Sequence, residues 1–160
     1  MSIRVLIVDD HTLIRHGLRQ VLELEWQMEV VGEAADGMAG IKAALALSPD
    51  VVLMDLSMPG VSGIDAIIAI CSSQPQLRVI VLTMHSDHKY ALRALQAGAT
   101  AYVTKDVALE ELREAIGAVM EGKAYISRHL SKALDDDLVS GASVQSPKRK
   151  VANSPRRGKR

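Results

Sequence analysis

Five short runs of apolar, largely β-branched residues alternate with segments of helical periodicity along the first 122 residues, and few architectures accept that order. The runs occupy residues 3–8, 29–34, 51–54, 77–82 and 100–103. Between and after them, apolar residues recur three and four apart, the spacing of one helix face. The first such face holds Leu13, Ile14, Gly17, Leu18, Val21 and Leu22; the second Met38, Ile41, Ala44 and Leu45, closed by Ser48-Pro49. Ile64, Ile67, Ile68 and Cys71 mark the third, Ala91, Ala94 and Leu95 the fourth, and Leu109, Leu112, Ile116 and Val119 the last. Ser86 or Asp87 is placed to cap the fourth helix, which should stop at Gly98. This repetition predicts an α/β fold: a doubly wound parallel sheet of five strands with helices on both faces.

Two of these strands end in acid. Residues 3–8 lead into Asp9 and Asp10, and residues 51–54 lead into Asp55. The second run is apolar throughout and reads as buried on both faces, so a carboxylate at its mouth is costly to desolvate unless something neutralises or uses it. Open parallel sheets bind ligands at the carboxyl ends of their strands, so neighbouring strands would bring three carboxylates together. Thr83 and Lys105 lie at the ends of the fourth and fifth runs. Carboxylates a few ångströms apart repel one another and retain a proton unless a cation binds. A set of oxygen ligands favours a hard ion, with Mg²⁺ the common choice. An acid beside that ion, an ammonium and a hydroxyl together suit phosphoryl transfer, which depends on positioning and charge stabilisation.

Asp9-Asp10, Asp55, Thr83 and Lys105, in this order and at strand ends, resemble the receiver domains of two-component response regulators, over about residues 3–122. The run from Met54 to Gly63 is similar to the loop that follows the phosphoacceptor in that family. Val81-Leu82-Thr83-Met84-His85 and the stretch from Gly98 to Asp106 resemble the NarL/FixJ subfamily. The resemblance implies the flavodoxin-like receiver fold and a phosphoryl group taken by Asp55 from a phosphohistidine on a sensor histidine kinase. It implies Mg²⁺ held by Asp10, Asp55 and the backbone carbonyl of Ser57, with Asp9 acting through water. Thr83 and Lys105 would contact phosphoryl oxygens, and Tyr102 would be the switch residue, turning inward as Thr83 moves. His85, two positions after Thr83, would border the site and tune hydrolysis. Many receivers carry Pro after the lysine; Asp106 stands there instead, as in much of the subfamily, and is placed to cap the last helix.

Each residue has a plainer reading when taken alone. Asp9-Asp10 could simply be helix N-terminal charge, Thr83 and Lys105 structural or solvated residues, and Tyr102 a packing residue at a strand end. The five histidines show no ligand spacing, and no metal role is expected of them. The main functional alternatives are a stand-alone phosphoryl-accepting adaptor without DNA-binding output and an aspartyl-phosphate phosphatase. The usual phosphatases of that kind place a second Asp two residues after the nucleophile, where this chain has Ser57. The domain is therefore expected to be no enzyme beyond assisting its own phosphorylation and dephosphorylation. Nucleotide binding is disfavoured because no Gly-rich loop follows the first strand.

Composition bounds the rest. With 160 residues, 48% of them apolar, there is material for one core, packed from Val, Ile, Leu, Ala and Met because Phe is missing and Trp26 is the one tryptophan. Cys71 is the single cysteine, so no disulfide can form within the chain and a reducing compartment is expected. No stretch approaches the ~18 apolar residues of a membrane span, which points to a cytoplasmic protein without membrane contact. The formal net charge of zero conceals an asymmetry: residues 146–160 carry seven basic residues and no acid, leaving 12 basic and 19 acidic residues before them.

The expected organisation is a receiver at residues 1–122, a linker with a short helix from Ser127 through Leu130, Ala133 and Leu134 at 123–139, and a basic disordered tail at 140–160. NarL/FixJ regulators normally continue into a LuxR-type helix-turn-helix of roughly 60 residues, for which the polar tail leaves no room. Transcription regulation is thus expected of a full-length form. Homodimerisation is expected, whereas specific DNA binding by this chain alone is not, since clustered cations offer only counterion release.

Overall fold

The computed structural model describes residues 2–106 and 109–132. Its strands are β1 (Arg4–Val8), β2 (Glu29–Ala34), β3 (Val51–Met54), β4 (Arg78–Thr83), β5 (Ala101–Thr104) and β6 (Tyr125–Ile126). Its helices are α1 (Thr12–Gln20), which runs into a π-helical turn at Val21–Glu25, α2 (Gly37–Leu47), α3 (Gly63–Ser73), α4 (His88–Ala97) and α5 (Leu109–Met120). All pairings are parallel, in the order β2-β1-β3-β4-β5-β6. The chain steps outward from β1 to β2, then returns to the other side of β1 as β3. That reversal puts the topological switch point, and its crevice, at the carboxyl ends of β1 and β3.

Alternation along the strands sends Val5, Ile7, Val51, Leu53, Ile80, Leu82, Ala101 and Val103 to the face covered by α1 and α5. The opposite face is covered by α2, α3 and α4, which pack side by side. Helix starts follow capping chemistry: Asp36, Ser62 and Asp87 each accept a backbone amide from the first turn of α2, α3 and α4. Gly98 ends α4, as the sequence predicts.

The buried faces differ from the expected ones in detail. Leu13 is 84% exposed, because the buried stripe of the first helical stretch runs through Leu18 and Leu22, and Leu13 lies off that stripe around the axis. In α2 the buried residues are Gly37, Gly40 and Ala44, while Met38 and Leu45 turn outward. The helix approaches the sheet so closely that a Cβ on Gly40 would lie 2.7 Å from Val8 Cγ1. Hydrophobicity pointed to the large residues, but close approach selects the small ones. Ile68 and Leu109 are likewise exposed.

The sheet has one strand more than the five expected. Tyr125 and Ile126 pair with Ala101 and Tyr102, a two-residue strand too short to leave a periodic signal. It is secured where β5 would otherwise have a free edge: the Ser127 amide donates to the Tyr102 carbonyl at 2.8 Å, and the Thr104 amide donates to Ser127 Oγ at 3.1 Å. The compact unit spans Met1–Ser127. Residues 128–132 form a short helix of their own, while Ala133, Leu134 and the basic residues 140–160 lie outside the described residues. Among the described residues, no helix is long and apolar enough to cross a membrane.

Candidate functional site

The switch-point crevice gathers the residues singled out by their place at strand ends. The Asp55 amide donates to the Val8 carbonyl at 2.9 Å, which seats Asp55 directly beside the end of β1. A Cβ on Gly63 would fall 2.6 Å from the Asp55 carbonyl oxygen and from Leu56 Cα, so the loop can return beneath Asp55 only with glycine there. Asp9 and Asp55 are almost fully buried, and ligand atoms of Asp9, Asp10, His11 and Asp55 all lie within 4.8 Å of one another.

Lys105 comes into this crevice from the end of β5. Its Nζ lies 2.6 Å from Asp9 Oδ2 and 3.5 Å from Asp55 Oδ2, with the side chain 8% exposed. One ammonium thus serves two buried carboxylates unequally. Burial raises the pKa of Asp9, but hydrogen bonds from Lys105 and from the amide and ring of His11 outweigh it and hold the carboxyl below its ordinary value. Asp55 goes the other way: burial raises it, Lys105 only partly opposes, and the charges of Asp9 and Asp10 push it further up. The Ser57 amide donates to Asp55 Oδ1 at 3.3 Å. Asp10 Oδ1 is buried, lies 3.2 Å from His11 Nδ1 and makes no hydrogen bond.

A buried carboxylate oxygen without a hydrogen bond, beside two further carboxylates, is a donor set with room for a hard cation. The residues therefore fit Mg²⁺. Histidine spacing offered no reason to expect a histidine among the metal-binding groups, yet His11 Nδ1 stands in the cluster, 2.9 Å from Asp9 Oδ1. The only available signal was its position directly after the acidic pair.

Thr83 is fully buried at the end of β4; its Oγ1 accepts the His85 amide at 3.4 Å, and its carbonyl accepts the Lys105 amide at 2.7 Å. Tyr102 is fully buried too, and its hydroxyl donates to the His85 carbonyl at 2.8 Å. Burial, with the charge of Asp87, holds the phenol well above its usual pKa. His85 connects the surrounding loops: its Nε2 hydrogen-bonds Ser57 Oγ, and its ring stacks on Tyr90 at 4.4 Å between centroids. The Lys105–Asp106 peptide bond is trans. Residues 107–108, between Asp106 and α5, lie outside the described residues, and with them the capping contact expected of Asp106.

Residues 5–117 match the family described as the response regulator receiver domain. The chain is 42% identical over 132 residues to the response regulator GacA of Pseudomonas aeruginosa, covering 82% of this chain and 62% of that protein. It spans 62–68% of the length of the first curated relatives it matches. Among solved structures, a two-component response regulator of the LuxR family from Aurantimonas sp. SI85-9A1 superposes with a TM-score of 0.83 at 35% identity, covering 87% of this chain and 99% of that one. A structure described as two RcsB dimers bound to two parallel DNAs is similar at 33% identity, with a TM-score of 0.76 and coverage of 84% and 69%. The parallel sheet, the acidic crevice at its switch point and this family match agree: the chain belongs to the response regulator receiver domain family.

Proposed function

We propose that this chain accepts a phosphoryl group on Asp55 from a phosphohistidine of a sensor histidine kinase and changes conformation in response. The observation that carries this reading is the uneven neutralisation of the crevice: Lys105 lies closest to Asp9, leaving the buried Asp55 carboxylate short of compensation at the mouth of β3. A group that is costly to keep charged and unpaired has reason to bind cation and phosphoryl.

In the proposed reaction an Asp55 carboxylate oxygen forms a bond to phosphorus while the phosphorus–nitrogen bond of the donor breaks. The leaving ring nitrogen keeps the bonding pair and takes up a proton. Mg²⁺, when bound, supplies charge neutralisation at the transferring group. Asp10, Asp55 and the Ser57 carbonyl would hold it, with Asp9 acting through water. Lys105, moving between Asp9 and the new phosphoryl oxygens, balances the added charge, and the Thr83 hydroxyl donates to another of those oxygens. Thr83 and Tyr102 both bond to the backbone of His85, so displacement of Thr83 is passed to the face formed by α4, β5 and α5. A shift from 1:99 to 99:1 between two forms requires about 5.5 kcal/mol of differential interaction.

The receiver is proposed to occupy the residues expected at 1–122 together with β6, up to Ser127, followed by a linker to residue 139 and a basic tail at 140–160. RcsB, the relative described as dimers on DNA, supports homodimerisation and transcription regulation for a full-length form of this protein. The experiment is incubation with acetyl phosphate and Mg²⁺ followed by intact mass measurement. Wild type should gain one acid-labile phosphoryl group and Asp55→Ala none; full labelling of Asp55→Ala would overturn the assignment.

A further inference from the structure

We propose that Arg15 is a positioning residue for the cation site, fixing the turn between β1 and α1 so that Asp9 and Asp10 present their carboxylates to one point. The inference rests on the reading of that site as a Mg²⁺ site. Arg15 lies in α1 and reaches back to the turn, where one guanidinium nitrogen donates to the Asp9 carbonyl at 2.5 Å. Its Nε donates to Glu33 Oε1 on β2 at 3.0 Å. The side chain is 14% exposed, so both contacts are held largely away from water.

Backbone bonds fix the two sides of the turn, the Asp9 amide donating to the Ala34 carbonyl and the Arg15 amide to the His11 carbonyl, each at 3.0 Å, but Arg15 is the side chain that holds the Asp9 carbonyl between them. His11, at the N-cap of α1, makes no side-chain capping bond. The Asp9 side chain does accept the His11 amide, but through an oxygen of the cluster itself, and its other oxygen is engaged with Lys105. Any rearrangement around a cation disturbs those side-chain contacts. The bond from Arg15 grips backbone and survives it.

An arginine so near a cation site should repel the cation, and the neighbouring charges answer that objection. Arg19 donates its Nε to the other Glu33 oxygen at 2.7 Å and lies 3.6 Å from Glu23. Two arginines and two glutamates make a group of zero net charge. Glu33 stays ionised within it, because the hydrogen bonds from Arg19 and Arg15 outweigh the effect of burial. What remains of Arg15 at the site is geometry. Groups that orient metal ligands from behind are worth about 10- to 100-fold in affinity.

Charge and geometry predict opposite results, which makes the proposal testable. MgCl₂ titration followed at the backbone amide resonances of Asp9 and Asp10, with thermal unfolding in parallel, reads affinity apart from fold. Arg15→Gln should raise the Mg²⁺ dissociation constant about tenfold, whereas loss of a merely repulsive charge would lower it. Arg15→Lys keeps the charge but loses the two-armed grip, so it should also weaken binding by several-fold, and it serves if Arg15→Gln fails to fold. Unchanged or tighter binding in a folded variant would overturn the role of Arg15 alone. A wild-type protein whose Asp9 and Asp10 amides ignore Mg²⁺ would end both this role and the cation site.

Discussion

At the amino ends of the strands, Arg4 donates to the carbonyls of Ser48 and Leu47 at 2.8 and 3.0 Å, while its amide donates to Asp50 at 2.9 Å. Arg78 on the same side donates to the Val119 carbonyl at 2.9 Å. At the carboxyl ends, Asp9 and Asp55 divide one ammonium, and an Asp10 oxygen is buried without a hydrogen bond. Both ends use charged side chains, partly exposed at the amino ends and almost fully buried in Asp9, Asp55 and Lys105 at the carboxyl ends. At one end each of these groups has a partner that the fold itself provides, so the charges stabilise the chain and have no capacity left. At the other, negative charge exceeds the protein's own means of neutralising it, and the excess is what a cation can offset.

The largest test of this contrast removes the shared ammonium. Lys105→Ala should cost about 3–5 kcal/mol in urea unfolding at neutral pH, because two carboxylates are left buried without their partner. The loss should shrink in acid, where both can protonate.

The two carboxylates should then separate by sign. Asp9→Asn is expected to destabilise by about 2 kcal/mol at pH 7, less than a fully broken buried pair because Lys105 retains Asp55. Asp55→Asn is expected to stabilise by about 1 kcal/mol, since it removes a charge that burial opposes. The pH dependence follows from the two shifts. Asp9, with its folded-state pKa lowered, contributes stability that is complete above its ordinary 3.8 and is lost as pH falls through the folded-state value. Asp55, with its pKa raised, costs stability above its folded-state value, and that cost fades to nothing as pH falls to 3.8. Unfolding curves across acidic pH should therefore converge for Asp55→Asn and wild type below 3.8. Equal behaviour of the two Asn variants would remove the distinction between the carboxylates.

Smaller effects belong to the amino end and the surface. Arg4→Met should cost about 1 kcal/mol per hydrogen bond lost and leave the response to Mg²⁺ unchanged. A changed Mg²⁺ affinity there would mean the two ends are not independent. Leu13→Ser should lie within about 0.5 kcal/mol of wild type in thermal unfolding, given its exposure.

Much of this was legible in the sequence because it depends on order and period. Strand mouths follow from where apolar runs stop, which is how Asp9, Asp10, Asp55, Thr83 and Lys105 could be grouped before any coordinates. Helix faces were less legible: in α2 the close approach of Gly40 to Val8 decides the buried side, and hydrophobicity is silent about close approach. The strand Tyr125–Ile126 is too short to carry a period. The unequal distances from Lys105 to Asp9 and Asp55, and the arm from Arg15 to the Asp9 carbonyl, are questions of reach between elements, which spacing along a chain does not encode.

A crystal soaked in Mn²⁺ and measured for anomalous scattering tests the central claim most directly. The account predicts a single ion between the carboxylates of Asp10 and Asp55 at the carboxyl ends of β1 and β3. An ion bound elsewhere, with that crevice empty at saturating Mn²⁺, would contradict it.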